Sequence, residues 1–315
     1  MTGHYATTQG LKKIRATAHR SLESSILQLA QEASIEINVQ DLKDLEASRA
    51  FLRPGSRMFV TFLPKQQWDE SRDACRAIKR AGFEPVPHVP VRLMRDAAML
   101  NRVFAGLIED GGAQELLLLS GDYPHPEGPY TCVEEVLSTG VLRKFDLRRV
   151  SFAGHPEGHP QVSAEDIRRA ELAKALGAAT TGLHVSIMTQ FFFEAEPFLQ
   201  WVAEMRAAGV QAQLVGGLVG TTKLSTLFKF AARCGAGPSI RALGERPSSL
   251  LKLIGEQGPE RVLRDLAKAH GDPSSDFDGV HLFCFGGFLR TCRWLHAVAS
   301  GHFSFNQQGG FDVKQ

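Results

Sequence analysis

Glu36 interrupts the apolar run Ser34-Ile35-Glu36-Ile37-Asn38-Val39. A carboxylate inside such a strand is costly to keep ionised, so its pKa rises and it can act as a proton donor; alternatively, its side chain reaches solvent at the strand end. The pattern leaves both readings open. Asp122 follows the leucines 116–119 in Ser120-Gly121-Asp122-Tyr123-Pro124. There it either receives a ligand's donors or caps a turn, the commoner use of Asp after glycine. Gln190 leads into Phe191-Phe192-Phe193, and a buried primary amide must be satisfied by a ligand or by backbone.

His155 and His159 sit in His155-Pro156-Glu157-Gly158-His159-Pro160. The i,i+4 spacing suggests a metal pair, but the intervening Pro and Gly oppose the helix that would align the imidazoles. No third ligand is near, so no metal is expected, and hydrogen bonding to a polar ligand is the preferred reading. His88, in Pro85-Val86-Pro87-His88-Val89-Pro90, reads equally well as a satisfied core histidine. The stretch from Gly216 to Lys223 is glycine-rich but does not fit a P-loop, and Thr221 or Thr222 as a helix N-cap explains it. No G-x-S-x-G elbow is present, and no cysteine stands with a nearby base.

The elements that must position these groups recur evenly. Eight β-rich apolar runs lie at 34–39, 58–63, 83–91, 115–120, 149–153, 184–193, 211–219 and 279–285. Helically spaced segments follow them at 41–52, 67–81, 95–111, 131–144, 164–176, 197–208, 224–234 and 288–299. The strands are continuously hydrophobic, as in a parallel sheet covered on both faces. Eight alternations predict an α/β fold, a (β/α)8 TIM barrel, with catalytic groups at the strand C-terminal ends. A helix over roughly 9–33 precedes it and an extra helical stretch, 247–270, comes before strand eight. The expected organisation is a helical extension 1–33, one catalytic barrel 34–300, and an irregular tail 301–315.

Composition excludes several classes. Among 315 residues, 36 Lys+Arg face 34 Asp+Glu for a net charge of +2, which argues against a nucleic-acid binder. No apolar run approaches the ~18 residues of a membrane span. The basic start lacks the apolar core of a secretory signal, and five widely spaced cysteines read as reduced thiols. The expectation is a soluble cytoplasmic protein acting on small molecules, with monomer and homo-oligomer both compatible.

Taken in order, these motifs resemble the methylenetetrahydrofolate reductase family. Thr189-Gln190-Phe191-Phe192-Phe193 before an acidic helix start is the strongest match, and His155-Pro156-Glu157-Gly158-His159-Pro160 resembles the family's Y-P-E-x-H-P. Pro87-His88, Gly121-Asp122 and Gly217-Leu218 fall in the same order, so the likeness covers about residues 34 to 300. The resemblance implies a flavoprotein oxidoreductase of one-carbon metabolism and methionine biosynthesis. Such an enzyme interconverts 5,10-methylenetetrahydrofolate and 5-methyltetrahydrofolate, with FAD as cofactor and NADH or NADPH as co-substrate. By position, Glu36 resembles the general acid and Asp122 the carboxylate between flavin and pterin. Gln190 resembles the amide that meets pterin or nicotinamide. Thr61, His88, Ser120, Gly121, Tyr130, Thr131, His155, His159 and Asp166 fall at or near cofactor positions, with Leu224 and Arg290 on the substrate side.

The departures remove positive charge. The family's R-G-D arginine is Ser120, its Arg-Lys pair on helix five is Leu172 and Ala173, and its aromatic residue after strand seven is Leu224. Its arginine after strand eight is Gly287, with Arg290 or Arg293 as the replacement. Each lost charge-assisted bond is worth ~1.5–3 kcal/mol. Three alternatives therefore stand beside the FAD-dependent reading: a flavin-free reductase with direct hydride transfer, a non-catalytic barrel subunit, and a folate-binding methyltransferase.

Overall fold

The computed structural model describes residues 21–121, 123–159, 162–222, 258–270, 272 and 275–314. Eight parallel strands close into a barrel in chain order: β1 (Ser34–Ile37), β2 (Arg57–Val60), β3 (Glu84–Pro90), β4 (Glu115–Leu119), β5 (Arg149–Gly154), β6 (His184–Phe191), β7 (Gln213–Val219) and β8 (Gly279–Phe283). The ring is closed by β8 against β1, with Ser34 opposite His281 and Ile35 opposite Leu282. The expected fold class therefore stands, with most strands shorter than expected and β5 longer by one residue. Helices α1 (Leu22–Glu32), α2 (Leu45–Ser48), α3 (Trp68–Arg80), α4 (Ala97–Ala105), α5 (Val133–Ser138), α6 (Ala164–Ala179), α7 (Ala195–Ala207), α8 (Glu260–Ala269) and α9 (Phe288–Ala299) surround it. None of the described helices is long and apolar enough to cross a membrane.

Side chains alternate across each strand, so the barrel separates two apolar layers. Ile35, Ile37, Val150, Phe152, Ile187 and Leu282 face the helices in the large outer core. Phe59, Val86, Leu117, Met188 and Val215 form a separate cluster inside the barrel. The parity that sends Ile35 and Ile37 outward sends Ser34 and Glu36 inward, and the same holds for His88 beside Val86 and His281 on β8.

Several sequence expectations need correction. The helix expected over 41–52 is a 3-10 turn, Val39–Asp44, followed by the single turn α2. The cause is local side-chain bonding: Asn38 Oδ1 accepts from the Gln40 amide and Asp41 Oδ2 from the Asn38 amide, which competes with α-helical pairing. The helix expected over 131–144 is broken at Gly140, whose φ is +68°, into α5 and a 3-10 turn, Val141–Lys144. The segment 95–111 ends in a π-turn, Gly106–Asp110. The tail, expected to be irregular, carries an antiparallel hairpin of β9 (Phe303–Phe305) and β10 (Phe311–Val313) that buries Phe311. Of the expected helix 9–33, the structure describes α1, capped by Ser21 Oγ. The segment 224–234 and residues 247–257 lie outside the described residues, while the remainder of the expected stretch 247–270 carries α8.

Candidate active site

Glu36 looks into the C-terminal mouth of the barrel. Burial pushes its carboxyl up to about 7. The Thr61 hydroxyl and the backbone amides of Cys284 and Phe285 draw it partly back down, while the Asp41 charge opposes them. The Thr61 hydroxyl stands beside the carboxyl without closing a hydrogen bond of full geometry, and Oγ1 is buried and unpaired. Its backbone is fixed, because the Thr61 amide donates to the Ile37 carbonyl at 2.9 Å.

The amides just past β8 reach Glu36 through an unusual turn. Phe285 has φ +45° and Gly286 φ +79°, a left-handed pair that a phenylalanine adopts only at a cost. Phe285 then packs on Phe191 and Phe283 with ring centroids 5.0 and 6.0 Å away, forming an aromatic wall over the mouth.

Two histidines flank Phe59, the residue paired with Glu36 across β1 and β2. His88 lies 6.3 Å and His281 4.8 Å from the Phe59 ring, both edge-on. Burial lowers His88 to about 4 and holds His281 well below the usual histidine range, so both are neutral. His281 Nδ1 meets Ser34 Oγ at 2.9 Å, whereas His88 Nε2 and His281 Nε2 are buried without a partner. His88 is thus not a satisfied core histidine. His281 escaped the sequence reading, although Gly-Val-His-Leu-Phe on an expected strand places it at an inward position.

Gln190 sits where the β6–β7 register shifts, between Met188 and Phe191, the kind of irregularity that re-aims a side chain. Its Oε1 accepts from the Phe191 amide at 3.1 Å, so backbone satisfies the carbonyl half. Across the gap, a Cβ on Gly217 would lie 2.5 Å from the Thr189 carbonyl oxygen; only glycine permits this approach. The Gly217 amide donates to Thr189 Oγ1 at 2.9 Å.

The loop after β4 is braced from within. Arg92 Nε donates to the Thr131 carbonyl at 2.8 Å and Nη1 to the Tyr123 carbonyl at 3.0 Å. The Arg92 amide also donates to the Ser120 carbonyl. Gly121 has φ +88°, and a Cβ there would strike the Tyr123 ring at 2.8 Å. Tyr130 is buried. The Thr131 hydroxyl is engaged by Glu135 at 3.1 Å, as part of the α5 cap. Asp122 lies outside the described residues.

The loop after β5 rests on a carboxylate that the sequence reading missed. Glu171, 1% exposed, accepts from the His155 amide at 2.7 Å, the Trp201 indole at 2.9 Å and Arg168 at 3.1 Å. The His155 and His159 rings stand edge-on with centroids 5.7 Å apart, and no group of three metal ligands occurs among the described residues. Burial, then Lys174 and His159, lower His155 to about 4. Lys174 Nζ donates to the Ala153 carbonyl at 3.2 Å, and burial lowers its pKa. Asp166 is turned to its own helix, bonded to the Ser163 hydroxyl and paired with Arg169.

After β8, Arg290 opens α9 beside Gly287, where a Cβ would come within 3.3 Å of its Nη2. Arg293 lies over the Phe51 ring at 5.5 Å, so Arg290, not Arg293, is near the turn. Leu224 lies outside the described residues.

The donor set suits a planar heteroaromatic ring with polar edges. Thr61 Oγ1 and His88 Nε2 are orphaned at the mouth, and an isoalloxazine ring would satisfy such atoms. The diphosphate end is less well provided: Ser120 is uncharged, Thr131 and Asp166 are engaged locally, and Lys174 supplies the positive charge near β5.

Fold and site together define a (β/α)8 barrel with polar side chains gathered at its C-terminal face. The family model described as methylenetetrahydrofolate reductase matches residues 60–239, and the chain belongs to that family. It is 25% identical to the 5,10-methylenetetrahydrofolate reductase of Salmonella typhimurium over 166 residues, covering 52% of this chain and 53% of that protein. It is 26% identical to methylenetetrahydrofolate reductase (NADH) 1 of Arabidopsis thaliana over 140 residues, covering 40% of this chain and 24% of that protein. The match thus spans from a quarter to about half of the length of these relatives.

Proposed function

We propose that the chain is a methylenetetrahydrofolate reductase, with residues 34–300 as its single catalytic barrel, a soluble cytoplasmic enzyme. It interconverts 5,10-methylenetetrahydrofolate and 5-methyltetrahydrofolate with NADH or NADPH as the hydride source. The observation that carries this reading is Glu36: in a chain of this family, a carboxyl poised near 7 looks into the mouth where the folate would lie.

Glu36 holds a proton near neutral pH and gives it to the folate nitrogen as the five-membered ring opens. The amides of Cys284 and Phe285 then receive the carboxylate charge. Gln190, its carbonyl occupied by the Phe191 amide, offers its NH2 group to the pterin or the nicotinamide. By family correspondence Asp122 takes the pterin's donors, Leu224 lies along the substrate and Arg290 faces the folate tail. FAD, when bound, supplies the two-electron chemistry linking nicotinamide to folate. Thr61, His88, Gly121, Tyr130, His155 and His159 are the residues that would hold it, and the aromatic wall of Phe191, Phe283 and Phe285 would exclude water.

A second reading, direct hydride transfer without flavin, is favoured by the diphosphate end, where Ser120, Thr131 and Asp166 offer no free cation. The test is an absorbance spectrum of purified protein before and after incubation with FAD and desalting. A retained flavin band near ~450 nm supports the cofactor. A colourless protein that oxidises nicotinamide with methylenetetrahydrofolate supports direct transfer, and a colourless, inactive one overturns the reductase reading.

A further inference from the structure

The barrel has a polar cavity at the end opposite Glu36. It measures about 320 Å³ and is lined by Arg57, Arg149, Gln213 and Gly279, which open their strands, and by Asp278 and the exposed Glu32. Barrel interiors are normally filled by packed side chains. This end is open because β8 offers a glycine: a Cβ on Gly279 would meet nothing within 4 Å.

The charges lining the cavity sum to zero, Arg57 and Arg149 against Glu32 and Asp278, but they are not all paired with one another. Glu115 is met by Ser151 at 2.5 Å and by Arg57 at 3.4 Å. Asp278 is met by Arg206 at 3.0 Å and by the Leu214 amide at 2.9 Å. Glu32 accepts from Gln28 at the exposed rim. Among the described residues, no carboxylate pairs with Arg149. On β5 it shares the inward parity of Ser151, whose hydroxyl reaches Glu115 inside the barrel. A partly buried guanidinium beside an open cavity presents a planar fork of donors matched to oxyanions.

We propose that this end of the barrel is a binding site for a small oxyanion-bearing molecule, a phosphate or carboxylate compound, held by Arg149 with Arg57 at its side. The cavity lies within the size range of small-ligand pockets. The site is independent of the reductase reading, since its residues lie at the far end of the strands from Glu36.

Inorganic phosphate is the probe, with malonate as the carboxylate counterpart, titrated against the full-length chain while its thermal unfolding midpoint is followed. Ionic strength is held constant with chloride. The expected result is a saturable rise with one of the two anions that chloride does not reproduce, and whichever saturates names the oxyanion. Arg149→Gln weakens the apparent affinity by about tenfold or more, the loss of a charge-assisted pair, and Arg149→Lys restores part of it. Gly279→Val fills the open space and abolishes the rise in a folded protein. The proposal is overturned if neither anion gives a saturable rise. It also fails if Arg149→Gln and Gly279→Val both bind like the parent, or if Lys174→Met, at the other mouth, is the variant that loses the effect.

Discussion

The backbone amide of Phe285, a residue held at φ +45°, is aimed at the carboxyl of Glu36 and is one of two amides just past β8 that offset the pKa rise caused by its burial. A strained turn after the last strand thus tunes an acid on the first. If Glu36 delivers the proton, folate turnover falls by about tenfold per pH unit above the carboxyl's pKa near 7. Nicotinamide oxidation by a quinone acceptor carries no such limb. Steady-state rates for both acceptors between pH 6 and 9 (~3 pH units) check this, and parallel profiles would remove Glu36 from the role.

Glu36 and the two histidines also predict opposite slopes of stability. The folded pKa of Glu36 is raised from 4.5 to about 7, so its favourable contribution is complete below the unfolded value and is lost as pH rises through 7. The span corresponds to about 3 kcal/mol. His88 and His281 are depressed by burial, so neutral, folded histidines lose stability as pH falls below their unfolded value of 6.5. Urea titrations across this window should show Glu36→Gln gaining on the parent as pH rises and His281→Asn gaining as pH falls. Curves parallel to the parent's would contradict both assignments.

Glu171 should be the costliest single truncation near the mouth. Glu171→Ala strands the Trp201 indole N–H, the His155 amide and Arg168, a loss of about 3 kcal/mol or more. Equilibrium unfolding measures it, and Trp201 fluorescence reports the changed indole environment. A cost within about 0.5 kcal/mol, the usual range for a surface change, would show that the loop after β5 does not depend on this carboxylate.

Gly217 and Gly279 make a matched pair at opposite ends of the barrel. Gly217→Ala puts a Cβ 2.5 Å from one backbone oxygen and 2.9 Å from another, so β6 and β7 must part and Gln190 must move. A loss of about 1–3 kcal/mol follows, with weaker folate binding. Gly279→Ala meets open space and should change stability by less than about 0.5 kcal/mol. Thermal melts of the two variants separate backbone crowding from a general intolerance of alanine.

The barrel was legible because each strand is an apolar run of strand length followed by helical spacing, and parity within Ser34-Ile35-Glu36-Ile37 suffices to turn Glu36 inward. Two of the failures have different local causes, side chains bonding to nearby backbone in one and a left-handed glycine in the other. Asn38 and Asp41 replaced an expected helix with a 3-10 turn, and Gly140 split another. At the site, Glu171 meets Trp201 across 30 positions, a pairing that single-strand periodicity does not contain. The left-handed turn at Phe285 is invisible for another reason: phenylalanine is no signal for positive φ, and the glycines beside it read as an ordinary loop.

The most direct test of the central claim compares the parent chain with Glu36→Gln under anaerobic conditions, after loading with FAD. Two rates are measured, reduction of 5,10-methylenetetrahydrofolate by NADH or NADPH and nicotinamide oxidation by a quinone. The parent should form 5-methyltetrahydrofolate. Glu36→Gln should keep the quinone rate while losing the folate rate by about 100-fold or more, the usual weight of a positioned acid. A Glu36→Gln protein with full folate turnover, or a folded parent that neither binds nor reduces the folate, would contradict it.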